Sequence, residues 1–250
     1  MDPDFELMAK VRQIHSDTRS SYGSRRISGQ LRDDGYDVGR YRARTLMKKA
    51  GVSVKRRKKF KRTTDSNHKH PIAPNLLNRQ FDVERPNAAW CADITYLWTV
   101  QGWLYLAVVL DLYSRKVVGW ALSNRLTALV VKDALSMAYW RREPEKGIIH
   151  HSDRGSQYAG GDYQKMLDQY GMICSMSRKG DCWDNAVVES FFHSLKTEWT
   201  ADILYKTRDE ARADVINYIE MFYNSRRLHS FLGNTNPNAF ENNPSIVEVA

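Results

Sequence analysis

The first fifty residues carry apolar side chains at helical spacing, and glycines interrupt the pattern. It predicts one helix over about residues 3–16, a second from Ser24 to Gly35, and a third over about residues 40–49 that stops at Gly51. Three helices joined by short turns are typical of a helix-turn-helix unit. A small helical cap on another domain is the alternative interpretation of the same pattern.

From Phe81 onward the chain changes to short runs rich in valine, leucine and aromatic residues, which indicate strands. The predicted strands cover about residues 90–100, 103–113, 116–122, 148–151 and 172–176. The predicted helices cover about residues 127–140, 162–170, 185–199 and 208–223. Three successive strands, followed by alternating helices and strands, predict an α/β fold with a mixed sheet. The residues expected in the core of that sheet include Trp90, Trp98, Trp103 and Trp120.

These patterns divide the chain into four parts. They predict a helical, DNA-binding-like domain for residues 1–53, a basic linker for 54–80, an α/β core with C-terminal helices for 81–240, and a tail for 241–250. The linker is assigned because residues 54–74 contain too few apolar side chains to fold by themselves.

The positive charge of the chain is concentrated in one segment. The 250 residues have a formal net charge of +9, whereas residues 40–69 hold 13 Lys or Arg and one acid, a net +12. The remainder is therefore slightly acidic. A basic segment between two folded regions favours contact with nucleic-acid phosphates. The residues predicted to make this contact are Lys55, Arg56, Arg57, Lys58, Lys59, Lys61 and Arg62. Arg25 and Arg26 either bind phosphate too or form the outer face of a cap helix.

Cysteine usage and hydropathy exclude several classes of protein. The three cysteines include no C-x-x-C pair, which argues against a disulfide framework and favours reduced thiols in a cytoplasmic protein. His68 and His70 lie in the linker without a nearby cysteine, so we expect no zinc there. The acidic N-terminus predicts no signal peptide, and the longest apolar run, near residues 104–110, is too short to cross a membrane.

Three carboxylates occupy positions where the predicted elements converge. Asp93 lies inside the first strand, Asp153 follows a short buried strand, and Glu189 lies one turn into a helix. The carboxyl ends of strands are where α/β sheets place their sites. Three oxygen ligands suit Mg²⁺ or Mn²⁺, and two such ions activate a water or a DNA 3′-hydroxyl for phosphodiester chemistry. The sequence therefore predicts a two-metal site.

Other polar residues near this site have plainer interpretations. Asp111 is either a fourth site acid or the partner of Arg115, and Asp184 is expected to cap the helix that carries Glu189. His150 and His151 are expected to be structural, whereas for His193 a role at the scissile phosphate and simple packing remain open. Thr127 is expected to cap the first helix of the core.

Several long strings carry a family resemblance. The chain contains WCADITYL, HSDRGSQY, GDCWDNAVVESFFHSLKTE and FYNSRRLHSFLGNTNPNAF, with YGSRRISGQL before them, and 35 residues separate Asp153 from Glu189. In these strings the chain resembles the second-frame (orfB) transposases of bacterial IS-three insertion sequences, within the superfamily of DDE transposases and retroviral integrases. The resemblance covers nearly all of residues 5–240.

The resemblance implies a ribonuclease-H-like core, divalent metal, and transposition by cutting and joining the ends of the element. It implies that Asp93, Asp153 and Glu189 are the catalytic acids and that Lys196 contacts DNA near the cut. It also implies an upstream-frame protein, as fusion or partner, with a further end-recognition domain. Bringing two DNA ends together makes a homodimer or larger assembly the expected state.

Two rival functions remain at the level of sequence. A ribonuclease-H-type nuclease would share the fold and prefer an RNA–DNA hybrid, but the basic linker and the transposase-like strings argue against it. A non-catalytic DNA-binding repressor, as a relic of an inactive element, would bind DNA without cutting it. The complete set of three acids argues against the relic.

Overall fold

The computed structural model describes residues 4–54 and 70–243 and begins with the three predicted helices. They are α1 Phe5–Asp17, α2 Ser24–Asp33 and α3 Arg40–Lys49. Gly35 and Gly51 follow α2 and α3 with φ of +90° and +71°, a conformation that side chains with a Cβ seldom adopt. The glycines therefore end these two helices, as their positions in the sequence predict.

The centre of the molecule is a five-stranded mixed sheet in the order β3-β2-β1-β4-β5. The strands are β1 Ala89–Thr99, β2 Gly102–Asp111, β3 Val117–Ser123, β4 Ile149–Ser152 and β5 Ile173–Met176. The first three pair antiparallel, whereas β4 runs parallel to both β1 and β5. The predicted α/β fold with a ribonuclease-H-like mixed sheet is confirmed.

Helices cover both faces of the sheet. They are α4 Ala128–Arg142, α5 Ser156–Ala159, α6 Gly161–Gln169, α7 Ala186–Ser194, α8 Arg208–Asn217 and α9 Pro237–Asn242. Short 3₁₀ turns occupy Cys182–Asn185 and Ser230–Leu232, and π-helical segments Leu195–Trp199 and Tyr218–Tyr223 continue α7 and α8. Within β3, a Cβ at Gly119 would lie 2.2 Å from the carbonyl oxygen of Ala134, so only glycine permits α4 to pack this closely.

Alternate strand residues serve two hydrophobic clusters. Trp90 and Ala92 pack with α4, α5 and α6 on one face, whereas Cys91 packs with α7 and α8 on the other. This alternation follows from the two-residue period of a strand. The cluster on the α7 face continues without a break into residues of α1, α2 and α3.

The N-terminal helices are fastened to the C-terminal half of the core. Arg19 pairs with Asp214 at 2.7 Å and lies 3.8 Å from the centre of the Trp199 ring. The backbone N–H of Leu228 donates to the Tyr22 hydroxyl at 2.8 Å. The helix-turn-helix-like unit is therefore also a cap on the core.

Residues 70–80 differ from the linker that composition predicts. The N–H groups of Leu76 and Leu77 both donate to Ser175 Oγ on β5, at 2.9 and 3.2 Å, and the carbonyl of Pro74 accepts from the N–H of Met176. This stretch is held by hydrogen bonds to the sheet edge, which a count of apolar residues does not register. The basic residues 55–62, predicted to contact DNA, lie outside the described residues.

Two of the four tryptophans expected in the core are exposed. Trp90 is fully buried and Trp120 half-buried, but Trp98 and Trp103 are 53% and 43% exposed. They lie at the turn end of the β1–β2 hairpin, where the face of the sheet that carries them is left open. The prediction was wrong because alternation along a strand does not show where the opposing layer ends.

Thr127 precedes α4 as predicted, but its side chain makes no capping hydrogen bond.

Cys91 and Cys174 are free thiols, and burial raises the pKa of Cys91 to about 12, which makes it unreactive. Within the described ranges 4–54 and 70–243, no helix has the length and apolar character needed to cross a bilayer.

Candidate active site

The register of two parallel strands places Asp93 beside Asp153. Ala92 of β1 pairs with Ser152 of β4, and Asp93 and Asp153 directly follow these two residues. Neighbouring strands lie about 4.8 Å apart, so the two carboxylates leave the backbone at adjacent points. The N–H of Ile94 donates to Asp93 Oδ1 at 2.7 Å, and the N–H of Gly155 donates to Asp153 Oδ1 at 2.8 Å.

The electrostatics of Asp93 show how closely the acids interact. Burial raises the pKa of Asp93 well above its usual value, and the charge of Asp153 and then that of Glu189 raise it further. The hydrogen bond from Ile94 and the charge of Lys196 act in the opposite direction. Negative charge is therefore gathered at a half-buried place.

Glu189 lies in the first turn of α7, on the side of that helix that is exposed. The start of α7 is fixed to β1 because the Asn185 side chain donates to the carbonyl of Ala92 at 3.3 Å. Among residues 4–54 and 70–243, no three His, Cys, Asp or Glu side chains already form a metal-binding group. The structure thus brings Asp93 and Asp153 together, with Glu189 near enough to act on Asp93 through its charge.

Lys196 approaches the same place from the π-helical segment after α7. Its side chain is half-buried, and its Nζ lies 4.9 Å from the centre of the Tyr96 ring. Burial lowers the pKa of Lys196 to about 8, and the charge of Asp93 partly offsets that effect. A cation therefore stands beside the acids.

Asp184 does not cap the helix that carries Glu189, contrary to prediction. The residue before α7 is Asn185, and it makes no side-chain cap. The fully buried Asp184 carboxylate instead accepts from Arg178, at 2.7 Å for the guanidinium, from Arg79 at 2.9 Å and from Asn75 at 2.8 Å. The hydrogen bonds from Arg178 are the main cause that lowers the pKa of Asp184. The sequence did not predict these hydrogen bonds because Arg79 is more than a hundred residues away from Asp184.

Asp111 is neither a fourth site acid nor the partner of Arg115. It is fully buried and pairs with Arg142 of α4 at 3.2 Å. Its other oxygen contacts are the N–H groups of Asn87 and Tyr113, both at 2.9 Å. Asp111 therefore ties the end of β2 to α4 and is remote in function from the acids.

The histidines near the acids divide into two groups. His150 and His151 are fully buried: the first contacts the Tyr163 hydroxyl at 3.0 Å and the second contacts Ser175 at 2.8 Å. Both are structural, as the sequence suggested. His193, in contrast, is exposed on α7 and does not pack into the core.

Arg25 and Arg26 have different environments despite being neighbours. Arg25 is exposed, so its contact with phosphate stays a prediction. Arg26 pairs with the buried Glu198 at 3.0 Å, and Glu198 also accepts from Arg227 at 2.7 Å. The charge of Arg26 is therefore used inside the protein, between the helical unit and the core.

Family models match most of the chain. Residues 83–182 match an integrase core domain, residues 189–244 match a second integrase core domain model, and residues 2–60 match an HTH-like domain. The boundary between the first two matches falls just before Glu189.

Relatives of the chain are proteins of insertion sequences. It is 46% identical over 237 residues to a 31 kDa protein of insertion element IS600 from Shigella sonnei, covering 95% of this chain and 87% of the relative. It is 45% identical over 225 residues to transposase InsF for insertion sequence IS3A from Escherichia coli K12, covering 90% and 78%. The chain belongs to this family of insertion-sequence transposases. The transposase is of the DDE type, and it cleaves and transfers DNA strands, as the sequence predicts.

The fold of the transposase also occurs in viral integrases. A chain of the simian T-cell lymphotropic virus intasome matches with a TM-score of 0.54 at 16% identity, covering 92% of the transposase and 74% of that chain. At this low identity the match concerns the fold. Together with the HTH-like domain of the transposase, the family assigns it a DNA partner.

Proposed function

We propose that Asp93, Asp153 and Glu189 are the catalytic acids of this transposase and that they bind Mg²⁺ or Mn²⁺. The observation that carries the proposal is the position of Asp93 and Asp153 side by side on β1 and β4, each raising the energy of the other's charge. Two carboxylates held together in this way are stabilised by a bound cation. Glu189 supplies the third oxygen ligand from α7.

The residues present fit such a metal. All the donors are carboxylate oxygens, which are the ligands that Mg²⁺ prefers, with no sulfur among them. The Tyr158 hydroxyl is buried without a hydrogen-bond partner among the described residues. Burial and the neighbouring Tyr163 raise the pKa of Tyr158 well above its ordinary value, and the charges of Asp93 and Asp153 raise it further. A buried hydroxyl of this kind beside two acids suits a site that holds additional ligands or water.

Divalent ions bound here would activate a water or a DNA 3′-hydroxyl and stabilise the leaving oxygen. The protein's own groups orient the site. The N–H groups of Ile94 and Gly155 fix one oxygen of each aspartate. Lys196 places a positive charge next to Asp93, where it can bind a phosphate of the strand that is cut.

Contacts with the remaining DNA are proposed for basic side chains that precede residue 81 in the sequence. They comprise Arg25 on α2 and the cluster Lys55, Arg56, Arg57, Lys58, Lys59, Lys61 and Arg62. Each phosphate that they neutralise releases counterions, so DNA affinity should fall steeply as salt increases. Measured DNA affinity that is flat between low and high salt would exclude this role.

The catalytic proposal is tested by DNA cleavage. Purified protein is incubated with labelled linear DNA that carries candidate element ends, with Mg²⁺ or Mn²⁺, beside Glu189→Gln and a matched control, Glu145→Gln, at an exposed loop. Nicked or joined products should form with wild type and the control and disappear with Glu189→Gln. Equal product from Glu189→Gln would refute the role of Glu189, and a preference for RNA–DNA hybrid would favour a nuclease.

Metal binding is tested separately from chemistry. Adding Mg²⁺ in excess should raise the free energy of unfolding of the wild-type protein, by about 2–3 kcal/mol at a hundredfold excess over the dissociation constant. Asp153→Asn should remove most of that increase, whereas Glu145→Gln should preserve it. An equal gain in stability for Asp153→Asn would show that the ion binds elsewhere.

Assembly is the remaining part of the proposal. Joining requires two DNA ends in one complex, so we expect a homodimer or higher oligomer on DNA. An upstream-frame protein, as fusion or partner, is expected to supply recognition of the element ends. Light scattering would measure the mass of complexes formed on paired DNA ends, with and without the upstream-frame protein. A monomer that joins DNA ends without that protein would contradict both proposals.

A further inference from the structure

The turn end of the β1–β2 hairpin carries aromatic rings that the helices leave uncovered. Trp98 and Trp103 stand directly opposite each other in the antiparallel register. Their ring centres are 4.8 Å apart in an edge-to-face arrangement, and the two residues are 53% and 43% exposed. Large exposed aromatic surface on a soluble fold commonly marks a binding site.

These rings lie on the face of β1 opposite to that of Asp93, and Lys196 links the two. Tyr96 lies two residues before Trp98 on the same face of β1, and its ring centre is 4.9 Å from that of Trp103. The Nζ of Lys196 lies 4.9 Å from Tyr96, and Lys196 interacts with the charge of Asp93. We call Tyr96, Trp103 and Trp98 the aromatic ladder.

The ladder runs along an open edge of the sheet. Within the described strands, β4 ends at Ser152, and β1 next meets a neighbour on that side where Thr99 bridges to Tyr205. Between these points, within residues 4–54 and 70–243, no strand pairs with this edge of β1. A DNA strand placed there would cross this edge beside Lys196 to reach the ladder from Asp93.

Cations stand at both ends of the ladder. Lys196 is at the end near the acids, and at the hairpin end the Nε of Arg208 donates to the carbonyl of Trp103 at 3.1 Å. Positive charge flanking a row of exposed rings matches a chain of phosphates and flat bases better than it matches an apolar protein surface. This charge complementarity selects a single nucleic-acid strand as the occupant.

We propose that the aromatic ladder stacks unpaired bases of the DNA strand whose phosphodiester lies at the carboxylates. The inference rests on the proposed catalytic site and adds a substrate feature to it. Stacking on a protein ring competes with stacking inside the duplex, so the ladder favours ends whose terminal bases are frayed or single-stranded. The transposase therefore reads the state of base pairing next to the cut.

The experiment measures stacking without requiring cleavage. In a Glu189→Gln background, the protein binds a DNA end that carries the fluorescent base 2-aminopurine as an unpaired terminal residue. Quenching of that base is compared with Trp98→Ala/Trp103→Ala, with Trp98→Leu/Trp103→Leu, and with the control Trp140→Ala, which removes a 67% exposed tryptophan on α4.

We expect quenching in the background protein and in the Trp140 control, and its loss in both double variants. Leucine retains apolar surface but cannot stack, so it should not rescue. Affinity for the frayed end should fall about tenfold in the double variants, while affinity for a fully paired end stays unchanged. Quenching that survives both double variants would overturn the proposal.

A change of oligomeric state in the double variants, with quenching intact, would also overturn it, because the rings would then join two copies of the chain. The experiment also distinguishes a failure of the ladder proposal from a failure of the catalytic proposal. Wild-type protein that cuts DNA but never quenches the base refutes the ladder alone. Ladder-dependent quenching by a protein in which Glu189→Gln cuts normally refutes the catalytic proposal for Glu189 alone.

Discussion

Two sets of acids in this protein are surrounded by opposite kinds of charge. Asp184 is fully buried and receives hydrogen bonds from two arginines, which lower its pKa. Asp93 is half-buried and has Asp153 and Glu189 as its neighbours, which with burial raise its pKa. Asp184 and Glu189 are only five residues apart in the chain. Proximity in sequence therefore says little about the role of an acid.

The comparison teaches that compensation by cations of the protein distinguishes the structural acids from those proposed to be catalytic. An acid that stabilises a fold is held in its charged form by cations of the protein itself. An acid that binds an external cation is kept near others of its own charge, at a cost to the folded state. Glu198, with Arg227 and Arg26 around it, belongs with Asp184 in the first group.

Asp153→Asn should show the largest difference between the two groups of acids, in its effects on DNA cleavage and on stability. We expect DNA cleavage to fall by about a thousandfold or more, because the proposed metal site would lose one of its ligands. The free energy of unfolding in metal-free buffer should not fall, because the change also removes repulsion from Asp93. Cleavage assays and urea denaturation measure the two effects. A variant that unfolds easily would place Asp153 with the structural acids.

Glu198 should show its role in the dependence of stability on pH. Its two arginines hold the pKa of Glu198 at about 2, against an ordinary value of 4.5. Because the folded pKa is depressed, the stabilisation is present above pH 4.5 and is lost as pH falls through 2. Glu198→Gln should reduce the free energy of unfolding at pH 7 by about 3 kcal/mol and flatten this dependence. Equal acid sensitivity in the variant would contradict the assignment.

Asp184→Asn should cost stability without touching the acids directly. We expect the free energy of unfolding to fall by about 2 kcal/mol, because Arg178 and Arg79 lose a charged partner. Asp181→Asn is the matched control: Asp181 pairs with the same arginines but its side chain is 26% exposed, so we expect a change below about 1 kcal/mol. Similar losses of stability in both variants would contradict the view that burial makes the contacts of Asp184 more stabilising than those of Asp181.

The smallest expected effects come from replacing two adjacent arginines, Arg25 and Arg26, one at a time. Arg26→Ala should lower the free energy of unfolding by about 1 kcal/mol, since it removes one of the two partners of Glu198. Arg25→Ala should leave stability unchanged and reduce by about one the slope of DNA affinity against the logarithm of salt concentration. The opposite pattern would exchange the structural and DNA-binding roles of the two side chains.

Sequence patterns predicted the elements well because those patterns depend on neighbours in the chain. Apolar spacing and glycine stops located α1, α2 and α3, and the strings around the three acids identified the family. The patterns missed α5, which has only four residues. A helix of one turn shows no period that could be recognised.

Prediction failed where a residue's role depends on a distant partner. Asp184 has the sequence position of a helix cap, yet its partners include Arg79, 105 residues before it. Asp111 pairs with Arg142 on another element, and Arg115, its near neighbour, donates to the carbonyl of Phe81 instead. The exposure of Trp98 depends on where α4 lies. Local periodicity carries none of this information.

The contact between Tyr22 and Leu228 joins residues 206 positions apart. Tyr22 is synthesised before Leu228, so the helical unit cannot make this contact until 206 further residues have been added. At about 5–20 residues per second, roughly 10–40 seconds separate the synthesis of the two. During that interval α7, which bears Glu189, does not yet exist for most of the time. Docking of the helical unit on the core therefore follows the synthesis of the helix that bears Glu189.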